Sequence, residues 1–96
     1  MDFYDVLTDI PEGEDLVLKA KVDGSPRPKV QWLKDGVPVD LSDKRITTEM
    51  LPDGTCILTI KNVTPADKGQ YTLHASNPQG ELKSSCDVNV RGNGNL

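Results

Sequence analysis

Hydrophobic and polar residues alternate along this chain in short runs. Leu16, Leu18, Ala20 and Val22 alternate with Val17, Lys19 and Lys21. Val30 and Trp32 alternate with Lys29, Gln31 and Leu33, and Tyr71, Leu73 and Ala75 with Thr72, His74 and Ser76. Cys86, Val88 and Val90 repeat the pattern against Asp87, Asn89 and Arg91, and Ile57-Leu58-Thr59-Ile60 is short and β-branched. A period of two places one face of each segment in a core and the other in water, which is the signature of a half-buried strand. No window carries the i, i+3, i+4, i+7 stripe of a helix. Turn chemistry separates the runs at Asp23-Gly24-Ser25-Pro26-Arg27-Pro28, Lys34-Asp35-Gly36, Pro52-Asp53-Gly54 and Asn77-Pro78-Gln79-Gly80. Short strands broken by turns every 8–12 residues predict an all-β sandwich or barrel. The stretch from Asp40 to Met50 has no clear period, and its structure is left open at this level.

Composition narrows the functional classes. A chain of 96 residues is one domain, expected over residues 1–90, with 91–96 as a flexible linker of Gly and Asn. A net charge of −4 lacks the basic footprint of a nucleic-acid binder. No apolar run reaches the roughly 20 residues of a membrane span. Met1-Asp2-Phe3-Tyr4-Asp5 has neither the basic start nor the apolar stretch of a signal peptide. Two cysteines are too few for a multiply stapled scaffold.

Several motifs in a fixed order carry a family resemblance. Asp67-Lys68-Gly69-Gln70-Tyr71 reads Asp-x-Gly-x-Tyr, and Trp32 follows Ala20 by 12 positions. Gly24 to Gly36, Asp53 to Ile60 and Ala75 to Gly80 complete the series. Together they resemble the intermediate-set (I-set) immunoglobulin-like domains, from about Val6 to Val90. The resemblance implies an antiparallel Greek-key sandwich with Trp32 on strand C and Tyr71 as the tyrosine corner of strand F. Its structural core would centre on Trp32, Tyr71, Leu73, Ala20 and Leu58. It also implies that Val6 to Ile10 form strand A′, paired in parallel with Cys86 to Val90.

The sequence departs from that family at its usual disulfide. The two bridge positions on strands B and F are Ala20 and Leu73. A bridge closing a loop of this length contributes about 2–5 kcal/mol, so its loss favours a reducing compartment where it would not persist. Cys56 and Cys86 fall instead on the core-facing phase of other strands. Strand rise places them above about 10 Å apart, beyond the Cα reach of a disulfide. They are expected as free, buried thiols acting as small core hydrophobes.

Little else points to chemistry. His74, the one histidine, takes the outward phase and lacks companion ligands. No nucleophile–His–acid set, phosphate loop or Ca²⁺ loop is present, so no catalysis, cofactor or metal is expected. Asp9, Glu12, Glu14 and Asp15 read as a solvated face. Asn62-Val63-Thr64 is a formal glycosylation acceptor that coincides with the end of a strand. Lys19, Lys21, Lys29 and Lys34 are candidates for a weak basic patch. From the resemblance, Arg45 and Asp67 are expected to form a structural ion pair at one end of the sandwich.

Bridge-less I-set domains resemble those of giant muscle and cytoskeletal proteins such as titin, twitchin, obscurin and myosin-binding protein C. That resemblance implies a non-catalytic module of a cytoplasmic sarcomeric scaffold, giving spacing, docking and mechanical resistance. Its partners would be neighbouring immunoglobulin or fibronectin-like domains and other sarcomeric or cytoskeletal proteins. Two alternatives stand beside it: an extracellular adhesion or receptor domain that lost its disulfide, and a regulatory domain flanking a kinase in a twitchin-like protein.

Overall fold

The alternating segments become strands of two packed sheets. The computed structural model describes residues 8–92. β1 covers Thr8–Pro11, β2 Leu16–Lys21, β3 Lys29–Lys34 and β4 Val37–Pro38. β5 covers Ile46–Met50, β6 Thr55–Ile60, β7 Gly69–Asn77 and β8 Gly80–Arg91, and a single 3-10 turn, Pro65–Asp67, joins β6 to β7. One sheet has the order β1-β8-β7-β3-β4 and the other β2-β6-β5. Pairing is antiparallel except between β1 and β8, which run parallel with Thr8 opposite Val88 and Ile10 opposite Val90. The chain crosses between sheets after β1, β2, β4 and β6, which brings strands distant in sequence face to face.

Period-two patterning explains which faces meet. On β2, Leu16, Leu18 and Ala20 are buried while Val17, Lys19 and Lys21 are exposed. Leu58 on β6 and Tyr71 and Leu73 on β7 are fully buried, and Trp32 joins them from β3. These residues and Ala20 belong to one core that also holds Cys56, Cys86, Val63 and Ile60. Both inner faces therefore meet in a single apolar layer, and burial of that layer is the main favourable term in folding.

Three elements differ from the sequence expectation. The stretch left open contains a turn and then β5, whose Ile46 and Met50 are only half-buried, so the edge strand shows a weak period. β4 is two residues long and too short to show any period. β8 begins at Gly80, six positions before Cys86. Its first half pairs with β7 from Asn77 opposite Gly80 onward, but it projects beyond the core, leaving Leu82 54% exposed. Backbone pairing, not burial, holds that part. The Val6 and Leu7 portion of the expected first strand, and residues 93–96 of the expected linker, lie outside the described residues.

Two turns depend on glycine. Gly54 has φ +95, and a Cβ there would lie 2.3 Å from the Val22 carbonyl oxygen. The Val22 N–H in turn donates to the Gly54 carbonyl at 3.0 Å, locking the β5–β6 turn against the end of β2. At Gly69 a Cβ would lie 2.7 Å from Asp35 Oδ2. Asp35 holds the start of β7 from outside, donating its N–H to the Gln70 carbonyl at 2.8 Å and accepting the Gln70 N–H on Oδ1 at 3.0 Å. Gly54→Ala meets backbone, whereas Gly69→Ala meets a side chain that can turn away. Gly54→Ala is expected to lower unfolding stability by about 2 kcal/mol or more and Gly69→Ala by less. Chemical denaturation of the two variants measures the order, and an equal or reversed loss contradicts the assigned contacts.

Candidate functional site

Two regions concentrate polar and ladder interactions: the corner between β6 and β7, and the parallel pair formed by β1 and β8. At the corner, Thr64 caps the 3-10 turn. Its hydroxyl accepts the Ala66 N–H at 3.3 Å, and its own N–H donates to Asp67 Oδ2 at 2.8 Å. That reciprocal cap fixes the Asp67 carboxylate, which is 90% buried at its side chain. Arg45, in the turn just before β5, reaches it with both terminal nitrogens, Nη1 to Oδ2 at 3.0 Å and Nη2 to Oδ1 at 3.3 Å. Nη1 also donates to the Lys61 and Asn62 carbonyls, and Nη2 to Asp43 Oδ2 at 3.1 Å. Tyr71 closes the corner from the opposite sheet by donating its hydroxyl proton to the Asp67 carbonyl at 2.5 Å. Sequence positions 45, 67 and 71 thus join two sheets through one residue, Asp67.

The electrostatics follow from the geometry. Burial alone would raise the Asp67 carboxyl, but the Arg45 guanidinium and the Thr64 N–H outweigh it and hold it below the ordinary carboxylate range. The carboxylates of Asp67 and then Asp43 hold Arg45 charged beyond even its usual range. Burial, helped by the nearby charges of Asp67 and Asp35, keeps the Tyr71 phenol protonated well above its usual range. Every one of these groups is held in the form that the hydrogen bonds require.

The second region is the parallel pair. β1 and β8 are the first and last of the described strands, and the Glu12 N–H extends their ladder to the Arg91 carbonyl at 2.8 Å. Across it, Asp9 accepts from Asn89 Nδ2 at 3.0 Å and pairs with Arg91 Nε at 3.3 Å. That ion pair is about half exposed and adds little by itself.

Other candidates are dispersed. Lys19 and Lys21 point outward from β2 in one sheet, and Lys29 from β3 in the other. Lys34 sits 3.8 Å from Asp35. The four do not form one patch, because they lie on opposite faces of the sandwich. His74 is half-buried on the outer face of β7, where Nε2 lies 3.3 Å from Glu81 Oε2 without making a hydrogen bond. Asp15 is not merely solvated, since it accepts the Asn62 N–H at 3.1 Å. The Asn62-Val63-Thr64 triplet serves the corner, with Val63 fully buried and Thr64 as the cap. Neither Cys56 nor Cys86 is in a disulfide and both are buried, on β6 and β8 of different sheets. Cys56 lies opposite Ala20, donates weakly to the Gly54 carbonyl at 3.6 Å, and has its thiol pushed up by burial. Among the described residues, no cluster of three or more His, Cys, Asp or Glu side chains is placed to hold a metal ion. No described helix is long and apolar enough to cross a membrane. Sequence reasoning missed Asp35 and Asp43. An Asp two residues before Arg45, and another at the turn before a glycine, were the available signals.

A two-sheet sandwich closed by a tyrosine corner and a parallel first–last strand pair, with Trp32 in its core, defines an immunoglobulin-like domain. The sequence profile of the immunoglobulin I-set domain matches residues 6–90, and the chain belongs to that family. Muscle M-line assembly protein unc-89 of Caenorhabditis elegans is 45% identical over 71 residues, covering 74% of this chain and 1% of that protein. The titin M3 domain superposes with a TM-score of 0.84 at 26% identity, covering 94% of this chain and 95% of that one. Titin domains z1z2, solved in complex with telethonin, give 0.85 at 30% identity, covering 95% of this chain and 47% of that one. The M-line relative is a muscle protein of which this chain spans about 1% of the length. The sandwich here stands without a disulfide, since Cys56 and Cys86 do not bond each other.

The corner makes stability depend on acid. Asp67 carries a depressed folded value, so its contribution is complete above the unfolded carboxyl value near 4 and disappears as pH falls through the folded value. Asp67→Asn is expected to cost on the order of 2 kcal/mol at neutral pH and to flatten the acid limb of the stability curve. Denaturant titrations between neutral pH and pH 3 read both effects, and an unchanged acid limb excludes the role. The thiols give a separate test. Neither Cys56 nor Cys86 is expected to react with a thiol reagent in the native chain, and both are expected to react once it is unfolded. Fast labelling of either before unfolding contradicts their burial.

Proposed function

We propose that this domain is a non-catalytic structural and docking module of a long cytoplasmic scaffold in the sarcomere or cytoskeleton, and that it resists force applied through its ends. Residues 1–90 would be the folded unit and 91–96 the link to a following module. The observation that carries the reading is the parallel β1–β8 pair. A force on the two chain ends draws β1 toward its N-terminus and β8 toward its C-terminus. In a parallel pair these directions oppose each other along the strands. The connecting hydrogen bonds are then loaded in shear and must break together rather than one by one. Likeness to muscle proteins supports the setting, and the partners fitting it are adjacent immunoglobulin or fibronectin-like domains and other sarcomeric proteins. The unbridged core thiols fit a reducing compartment, which counts against the extracellular adhesion reading. A place beside a kinase remains a special case of the same scaffold.

Pulling single molecules through their ends tests the mechanical part. Unfolding is expected as one discrete event well above a few piconewtons. Ile10→Pro, which removes a donor from the β1 side of the ladder, is expected to lower that force. Leu58→Ala removes core volume far from the ladder, at a cost of about 2–5 kcal/mol in equilibrium stability. It is expected to lower the force less per unit of lost stability. Unfolding at a few piconewtons, or an equal response to both variants, refutes the shear clamp.

A further inference from the structure

Each sheet edge is a row of backbone groups, and proteins normally guard such edges with proline, lysine or a covering segment. Here β1 carries Pro11 and β4 ends at Pro38, so both edges of the larger sheet contain a proline. At the β2 edge, Lys19 and Lys21 are exposed. β5 has none of these features. Ile46-Thr47-Thr48-Glu49-Met50 is β-prone and lacks proline, lysine and arginine, and no described strand covers its outer side.

The ladder phase shows which groups of β5 are open. Lys61 donates to the Arg45 carbonyl at 2.9 Å, and Leu51 donates to the Thr55 carbonyl at 2.8 Å. With β5 and β6 in continuous antiparallel register, positions 45, 47, 49 and 51 bond inward to β6. Thr48 and Met50 consequently turn their N–H and C=O groups to the outside. The Ile46 N–H obeys the same phase, since it turns away from β6 to the Asp43 carbonyl at 2.9 Å.

Beside that open edge lies a groove of about 570 Å³ between the two sheets. Val30, Val39, Leu41 and Met50 give it an apolar lining, and Leu41 is 60% exposed. Asp40 and Glu49 line it as well, whereas no Lys or Arg does. The Ser42 hydroxyl and N–H hold the Asp40 carboxyl below its ordinary range, so the groove is acidic at neutral pH. A volume in this range suits a few side chains rather than a folded domain.

We propose that the β5 edge and its groove bind an extended peptide segment of a partner protein, added as a further strand, with apolar side chains in the groove and alternate Lys or Arg side chains meeting Asp40 and Glu49. Backbone bonds to Thr48 and Met50 give the affinity. The alternation of apolar and basic side chains gives the selectivity. This rests on the docking part of the function proposed above and not on its mechanical part, which is carried by β1 and β8 and read by pulling.

The probe is a synthetic eight-residue peptide alternating Val and Lys, titrated into the domain while backbone amide shifts and amide exchange are followed by NMR. Shifts confined to β5, Leu41 and Val39, with slowed exchange at Thr48 and Met50, are expected. The matching Val–Glu peptide is expected to bind at least about ten-fold more weakly, because like charges then meet at the groove. Thr48→Pro removes an outward N–H that the fold does not use, which an edge strand tolerates, and is expected to abolish binding. Leu41→Ser, on an exposed side chain, is expected to weaken binding with the fold intact. No shift at millimolar peptide, shifts centred on another edge, equal binding of the Val–Glu peptide, or unchanged binding to folded Thr48→Pro overturns the proposal. None of these results bears on the force at which the domain unfolds.

Discussion

No disulfide joins the two sheets, so the sandwich depends first on apolar contact between their inner faces. The positions where a family bridge would cross are Ala20 and Leu73, both buried in the common core. A large side chain from one sheet and a small one from the other can fill such a space at normal packing density. The exchange has a cost in the unfolded state, because a bridge would restrict that ensemble and a pair of hydrocarbons does not. Stability must therefore come from the completeness of packing. That is why the central positions are Trp32, Leu58, Tyr71 and Leu73, each nearly inaccessible to water. The two thiols obey the same rule. On β6 and β8 they occupy buried core positions of modest volume, where a thiol packs as a small hydrophobe.

The corner supplies what apolar contact cannot, a directional link. Hydrophobic burial has no preferred register, so sheets joined by it alone can slide. Asp67 sits where the chain passes from one sheet to the other. It is bound by Arg45 from the β5 side and by Tyr71 from β7. Burying a carboxylate is costly unless its acceptor sites are filled. Here Oδ2 takes bonds from Thr64 and Arg45, and Oδ1 takes one from Arg45. The corner therefore acts less as a source of net energy than as a device that admits one arrangement. The Asp-x-Gly-x-Tyr pattern has the same logic. Gly69 is small because Asp35 approaches it, and Asp35 approaches because it satisfies the backbone of Gln70.

Residues that bury one face were readable in the sequence, because period two follows directly from the pleat. β2, β3, β6, β7 and the end of β8 announce themselves in that way. β5 did not, because an edge strand with half-buried Ile46 and Met50 and exposed Thr47, Thr48 and Glu49 has little contrast between faces. The start of β8 was hidden for a related reason. Its pairing with β7 is a matter of backbone bonds and leaves no hydrophobic trace in Glu81-Leu82-Lys83. The corner residues were legible only through the family resemblance. Arg45 and Asp67 are 22 positions apart, and no local pattern connects them. Asp35 was legible only as a turn residue and the role of Asp43 not at all, since each acts through contacts that depend on how loops fold back.

The placement of the four edges separates two kinds of work. On the function proposed above, force entering at the chain ends would pass through β1 and β8, at one margin of the larger sheet. The open margin of the smaller sheet, β5, lies outside that path and, among the described strands, pairs only with β6. A strand added there would extend a ladder whose inner neighbour is fully embedded, with Leu58 and Cys56 inaccessible to water. Docking at β5 and load on β1 and β8 would therefore draw on different hydrogen bonds. A surface beside the loaded ladder would lose its geometry as soon as the strands began to shift. A surface on β5 keeps its geometry until the core itself opens, because the corner anchors the residue just before β5 to Asp67. A module that must hold a partner while under tension is best served by that separation.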